Sequence, residues 1–255
     1  MSNITPSQPP VPSSSLSSPL PSPFAPPSSL RPSVAPSSSL LPPEGVSAAF
    51  WKLVVDEPLT GSIVLDVGTG TGRIALAVAP FCRFVVGIDR EPEPIEEARQ
   101  RAAAAGIANV EFVVADADAV EYGQLVPEAP RLVSAHLFMS DALGERAARV
   151  LPPRGALAVV SFHVDQWRET GRPSRFAYDE DRMRRVLDAH GFAVEHLEVE
   201  CSVQTFESVE EALARAIGLQ ERWKSDGRWF RYIKFLEEGG RTLTHSHLIV
   251  KARRR

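Results

Sequence analysis

Three glycines at alternate positions, Gly68, Gly70 and Gly72, follow a short apolar run from Ile63 to Val67 that carries one acid, Asp66. Glycine takes up left-handed backbone at little steric cost and has no Cβ to hold a ligand off the main chain. A helical run opens directly afterwards at Arg73. A buried strand, a glycine turn and a helix N-terminus, in that order, make a site for a nucleotide-bearing cofactor at the end of a parallel strand. Two more acids end later apolar runs: Asp89, followed by Arg90, and Asp116, followed by Ala117. Further along, His136 ends a fourth apolar run, and His163 and Asp165 follow a fifth. The segment from Trp167 to Phe176 contains Arg168, Arg172 and Arg175 between its two aromatics. Guanidinium forks suit carboxylate or phosphate, so Asp165, Trp167, Arg172 and Arg175 are candidates for holding a second, acidic ligand. The pair His163 and Asp165 offers two ligands only, too few for a metal site.

Placing these residues requires strands that alternate with helices. Apolar runs predict strands at 62–67, 84–88, 110–115, 131–135, 156–162 and 193–199, with a last one opening at Leu248. Helical patterns fall at 46–56, 73–78, 92–105, 118–126, 141–151, 179–190, 207–218 and 220–238. Pro92 and Pro94 stand where a helix start tolerates proline, and Gly106 and Gly191 stand where helices close. Such alternation implies an α/β fold: a doubly wound, mostly parallel sheet with helices on both faces. The candidate residues then gather at the carboxyl ends of the strands, where open α/β sheets bind ligands.

The glycine spacing separates two cofactor classes. A dinucleotide fingerprint places its third glycine three residues after the second. Here Gly72 stands two after Gly70, and Arg73 occupies the place that fingerprint needs. Asp66-x-Gly68-x-Gly70-x-Gly72 resembles motif I of the class I S-adenosylmethionine-dependent methyltransferases. Leu151 to Gly155 is similar to that family's L-x-P-G-G turn, with Arg154 in place of one glycine. The resemblance runs from Ser62 to Phe162. It implies a seven-stranded sheet with an antiparallel edge strand, here with a helical lid inserted before the last strand, and S-adenosylmethionine as cofactor. It implies that Asp89 accepts from both ribose hydroxyls, which a carboxylate can do at once, and that Asp116 accepts from the adenine amine while Ala117 donates to a ring nitrogen. Asp66, Gly68, Thr69, Gly70, Gly72 and Arg90 complete the expected cofactor set.

Methyl transfer from a sulfonium is a positioning task, and a base is needed only if the nucleophile arrives protonated. His136 and His163 are the candidate catalytic groups. The nucleic-acid amino methylases carry an acid or asparagine, two prolines and an aromatic where this chain has His136-Leu137-Phe138-Met139, so that route is not expected. The reading is a methyltransferase for a small-molecule acceptor, without a metal. An RNA methyltransferase is the first alternative: ten Lys or Arg against four Asp or Glu lie from Gln220 onward, among Trp223, Trp229, Phe230, Tyr232 and Phe235, most of which helical spacing reads as packing residues of a lid but which could also stack bases. A nicotinamide-dependent oxidoreductase and a non-catalytic cofactor-binding protein are the others. His245 and His247 share one face of the last strand and read as a satisfied or solvated face.

Composition bounds the rest. Residues 1–43 hold 13 of the 22 prolines, many serines and a single charge, Arg31. Such a stretch cannot bury enough apolar surface to offset its chain entropy, so a disordered tail is expected there, followed by one methyltransferase domain at 44–255. Segments 163–178 and 207–238 are expected to form the acceptor-side loop and the lid. With 44% hydrophobic residues and a net charge of −4, the chain supports a sizeable core and is no generic nucleic-acid binder. Two cysteines, Cys82 and Cys201, fit a reducing compartment, hence a cytoplasmic location. No apolar run is long enough to span a membrane.

Overall fold

The computed structural model describes residues 41–255; the expected disordered tail falls almost wholly outside them. Helix α1 (Ala48–Val55) precedes strand β1 (Ile63–Val67), and α2 (Arg73–Val78), β2 (Phe84–Asp89), α3 (Pro92–Ala104) and β3 (Val110–Val114) complete the first half. The second half runs β4 (Leu132–His136), α4 (Asp141–Val150), β5 (Ala156–Phe162), α5 (Glu180–Ala189), β6 (Phe192–Thr205), α6 (Val209–Ala216), α7 (Gln220–Lys224), α8 (Arg228–Glu237) and β7 (Thr242–Arg254). The strands form one sheet in the order β3-β2-β1-β4-β5-β7-β6. The first five are parallel, and β7 lies antiparallel between β5 and β6. The order in which strands are added therefore reverses between β1 and β4, the topological switch point where such sheets bind ligands.

Each central strand is buried on both faces, which is why its sequence is a continuous apolar run rather than an alternating one. Ile63, Leu65 and Val67 face a core shared with α4 and α5 through Leu143, Ala147, Met183 and Leu187. Val64 faces the opposite layer, with Phe50 and Trp51 of α1, Ile74 of α2 and Ile95 of α3. At the amino ends of the strands, the buried carboxylate of Glu57 takes two bonds from Arg253, at 2.8 and 2.7 Å, and one contact from Lys251 at 2.6 Å. Burial pushes that carboxyl up, but the two cations outweigh it and hold its pKa below the ordinary value.

Three elements differ from expectation. The helix expected at 118–126 is a turn followed by a single 3-10 turn at Tyr122–Gln124. Asp116 Oδ1 accepts from the Asp118 amide at 2.9 Å, and such a side-chain turn competes with helix formation. The helix expected at 220–238 breaks in two at Gly227, whose φ is 82°. Strands β6 and β7 extend past β5 as a two-stranded ribbon, in which Cys201 pairs with Ser246 and Thr205 with Thr242. The last strand thus begins six residues before Leu248, because pairing with β6 continues beyond the buried sheet.

The ribbon carries α6, α7 and α8. They enclose a third core of their own, with Trp223, Tyr232 and Leu236 packed on Trp167 from the loop after β5. No helix among the described residues is long and apolar enough to cross a membrane.

Candidate functional site

The three glycines after β1 do different work. All have positive φ, 68°, 53° and 79° in order. A Cβ on Gly72 would meet the Phe112 ring at 2.8 Å and Ala98 at 3.1 Å, so this glycine lets β3 and α3 close on the loop. A Cβ on Gly68 would meet Phe138 at 3.0 Å. Gly70 meets nothing within 4 Å and faces open space. Its amide donates to Asp89 Oδ2 at 2.9 Å, and the Glu91 amide donates to Oδ1 at 3.1 Å. The half-buried carboxylate of Asp89 is thereby aimed beside the glycine turn, with lone pairs left for a diol. Asp116 is exposed beyond the end of β3, next to buried Ala117, and exposed Arg90 pairs with Glu91.

Asp66 departs from its expected role as a cofactor contact. It is 1% exposed, and both oxygens are used inside the protein: Oδ2 takes the Thr69 hydroxyl at 2.6 Å and Oδ1 the Ser134 hydroxyl at 2.7 Å. Burial lifts its pKa to about 6 despite these bonds. Asp66 ties β1 to β4 and shapes the glycine loop from below, and the Thr69 hydroxyl serves the same bond.

On the other half of the carboxyl edge, a cavity of about 420 Å³ is lined by His136, Leu137, Val160, Glu200, Ser202 and His247, with His245, Gly45 and Ser47 at its margin. Register explains the grouping: Glu200 pairs with His247 and Ser202 with His245, so alternate residues of both ribbon strands share one face. The Ser47 hydroxyl donates to Glu200 Oε1 at 2.9 Å and brings the start of α1 to the rim. Leu137 holds φ at 60°, an unfavourable left-handed conformation for a leucine, which turns the chain sharply behind His136. Burial lowers the pKa of His136 to about 4, aided by the charges of Arg73 and His247. Burial likewise lowers His247 to about 4, aided by His245.

Two residues expected at the acceptor site are interior instead. His163 is 6% exposed; its Nδ1 meets the Ser246 hydroxyl at 3.0 Å and its Nε2 meets Glu180 at 3.3 Å. Both ring nitrogens are engaged in joining β5, β7 and α5, a structural use of His163 in place of the acceptor-side position expected. Trp167 is 4% exposed and packs on Phe162 and Trp223, with ring centroids 5.3 Å apart in each pair. Asp165 is exposed beside it. Arg172 and Arg175 do line a second cavity, of about 340 Å³, together with Arg222 and Arg228. His245, His247, Glu200 and Ser202 were not singled out for the site by sequence. The period-2 spacing of both pairs was a usable signal, but their convergence depends on the ribbon register.

Fold, glycine cradle and acid placement coincide with one family. The chain belongs to the class I S-adenosylmethionine-dependent methyltransferases: the family model described as "Methyltransferase domain" matches residues 59–232. This sets aside the nicotinamide oxidoreductase, and S-adenosylmethionine is the cofactor. The chain is 39% identical to mouse (Mus musculus) tRNA (uracil-5-)-methyltransferase homolog A over 97 residues, 38% of this chain and 14% of that protein. It is 33% identical to the aklanonic acid methyltransferase DauC of Streptomyces sp. (strain C5) over 112 residues, 42% of this chain and 51% of that protein. The matched region therefore spans about half of one of these relatives and a small part of the other. Among solved structures, magnesium protoporphyrin IX methyltransferase from Synechocystis, with S-adenosylhomocysteine bound, superposes with a TM-score of 0.54 at 18% identity, over 82% of this chain and 80% of that one. The cradle fits the cofactor: Gly70 leaves open the space that a Cβ would fill, and Asp89 stands beside it.

Proposed function

We propose that this chain methylates a small molecule held in the His136 cavity. The observation that carries the reading is the size and shape of that cavity: about 420 Å³ falls within the range of small-molecule sites, roughly 300–1,000 Å³. When bound, S-adenosylmethionine supplies a methyl group on a sulfonium that is its own leaving group. The protein's part is positioning. Asp89, aimed by the Gly70 amide, holds the ribose end, and Asp116 and Ala117 the adenine. His136 and His247 remain neutral at pH 7 and so add no positive charge next to a cationic cofactor. A neutral imidazole on His136 accepts a hydrogen bond from the acceptor's O–H or N–H and aims its lone pair. With a pKa of about 4 it is a weak proton sink, so orientation is its main contribution. The loop at 163–178 and helices α6 to α8 act as the lid that excludes water. Two free cysteines fit a cytoplasmic setting.

The RNA alternative rested on aromatics among the basic residues of the lid. Trp223, Trp229 and Tyr232 are buried in the lid's own core, which removes them as base-stacking surfaces, and Phe235 is half-buried against that core; Phe230 is the exposed one of the five. The test is calorimetry with S-adenosylhomocysteine, followed by transfer of labelled methyl from the cofactor to a metabolite panel and to total RNA. Label in the small-molecule fraction, reduced in His136→Ala with cofactor affinity unchanged, is expected. Label in RNA alone would reverse the reading.

A further inference from the structure

The second cavity is distinguished by its charge. Arg172 and Arg175 come from the loop after β5, and Arg222 and Arg228 come from α7 and α8. Asp226 is the one carboxylate lining it, and it is already engaged by Arg228 Nε at 3.0 and 2.9 Å. Four guanidiniums against one carboxylate leave a strong positive excess in a concave space of about 340 Å³. Ser174 and Ser225 add hydroxyls to the lining. Arg228 is 4% exposed, lies over the Trp167 ring at 5.4 Å, and its Nη1 has no hydrogen-bond partner among the described residues. A buried guanidinium with an unmet donor is costly unless something completes it. Burial and the charges of Arg228, Arg175 and Arg90 depress the pKa of Arg222.

We propose that this arginine cavity binds a compact oxyanion, a phosphate or carboxylate, carried by the methyl acceptor. Planar guanidiniums supply paired donors that match such a group. The cavity is built entirely from the loop and lid, the parts of the chain that the cofactor motifs leave free. Arg222 and Arg228 face an anion in this cavity from the helices, and Arg172 and Arg175 face it from the loop. The inference rests on the small-molecule methyltransferase reading and adds the charge of the substrate to it. The same chemistry has a second source, the methionyl carboxylate of the cofactor, and the experiment separates the two.

The probes are S-adenosylhomocysteine and inorganic phosphate, titrated calorimetrically into the full chain. Phosphate is expected to bind the cofactor-saturated wild type, to bind about tenfold more weakly to Arg222→Gln, and to weaken in Arg172→Gln as well, since charge-assisted bonds are lost. S-adenosylhomocysteine affinity is expected to be the same in all three proteins. Both variants alter partly exposed side chains, so folding is retained, and Arg228 is left intact. No phosphate binding, or equal binding to wild type and variants, overturns the anion site. Parallel loss of S-adenosylhomocysteine assigns the cavity to the cofactor carboxylate and overturns the acceptor assignment. Displacement of phosphate by bulk tRNA, with a salt dependence that shrinks in the variants, overturns it in favour of nucleic acid. If wild type binds phosphate but no S-adenosylhomocysteine, the methyltransferase reading fails, and with it the link to a methyl acceptor.

Discussion

The two halves of the carboxyl edge are built on different principles. On the glycine-loop side, the candidate cofactor residues sit at strand ends or in the turns directly after them: Gly68 to Gly72 after β1, Asp89 at the end of β2, Asp116 just past β3. The contacts between these residues are short in sequence, with the Gly70 amide and Asp89 only 19 positions apart. On the acceptor side, one cavity needs the start of α1, the end of β4 and two ribbon strands, and its rim bond from Ser47 to Glu200 spans 153 positions. The helices above have a core separate from the two that flank the sheet. The glycine-loop contacts and the packing of the lid are thus separate sets.

The largest test of that separation is Trp223→Ala. Trp223 is fully buried and meets Trp167, Trp229 and Tyr232 with ring centroids 5.3, 6.4 and 5.6 Å away. Its truncation removes about 3–5 kcal/mol from the lid's packing. Hydrogen exchange is expected to show faster opening across 209–237, while protection in β1 to β3 and affinity for S-adenosylhomocysteine stay as in wild type. Loss of cofactor binding together with the lid would show that the halves fold as one unit.

Asp89→Ala probes the other half. It deprives a ribose diol of its acceptor and is expected to weaken S-adenosylhomocysteine binding by about 2–3 kcal/mol. The lid's exchange pattern should be untouched. Calorimetry on a folded variant with unchanged affinity would remove Asp89 from the cradle.

The smallest effect is the pH response of the acceptor cavity. Burial, reinforced by His245, lowers the His247 pKa to about 4 from an ordinary 6.5. Between those values the unfolded chain binds the proton and the folded one does not, so stability is lost as pH falls from 6.5 towards 4. Asp66, raised to about 6 by burial, works in the opposite direction, gaining stability as pH falls through 6. His247→Gln removes only the first effect. Urea unfolding at pH 7 and pH 4 should show the variant losing about 2 kcal/mol less than wild type on acidification, after allowance for partial exposure. Equal losses would mean that the imidazole is solvated.

The sequence by itself determined the cofactor half. The D-x-G-x-G-x-G stretch, the acids that end β2 and β3 and the apolar runs between them are each a strand with its own turn, and local spacing carries such information. It also placed Arg172 and Arg175 in a cavity wall. Only tertiary structure decided the rest. His163 and Asp66 look like site residues by type, yet their bonds to Ser246, Glu180, Thr69 and Ser134 occupy them inside the fold. His247 reads as a surface residue until the ribbon register sets it opposite Glu200. Trp223 and Tyr232 read either as packing residues of a lid or as stacking surfaces until the lid's core encloses them. In most of these cases the role depends on which other segment supplies the partner, and residue type and spacing carry no record of contacts that span tens of positions.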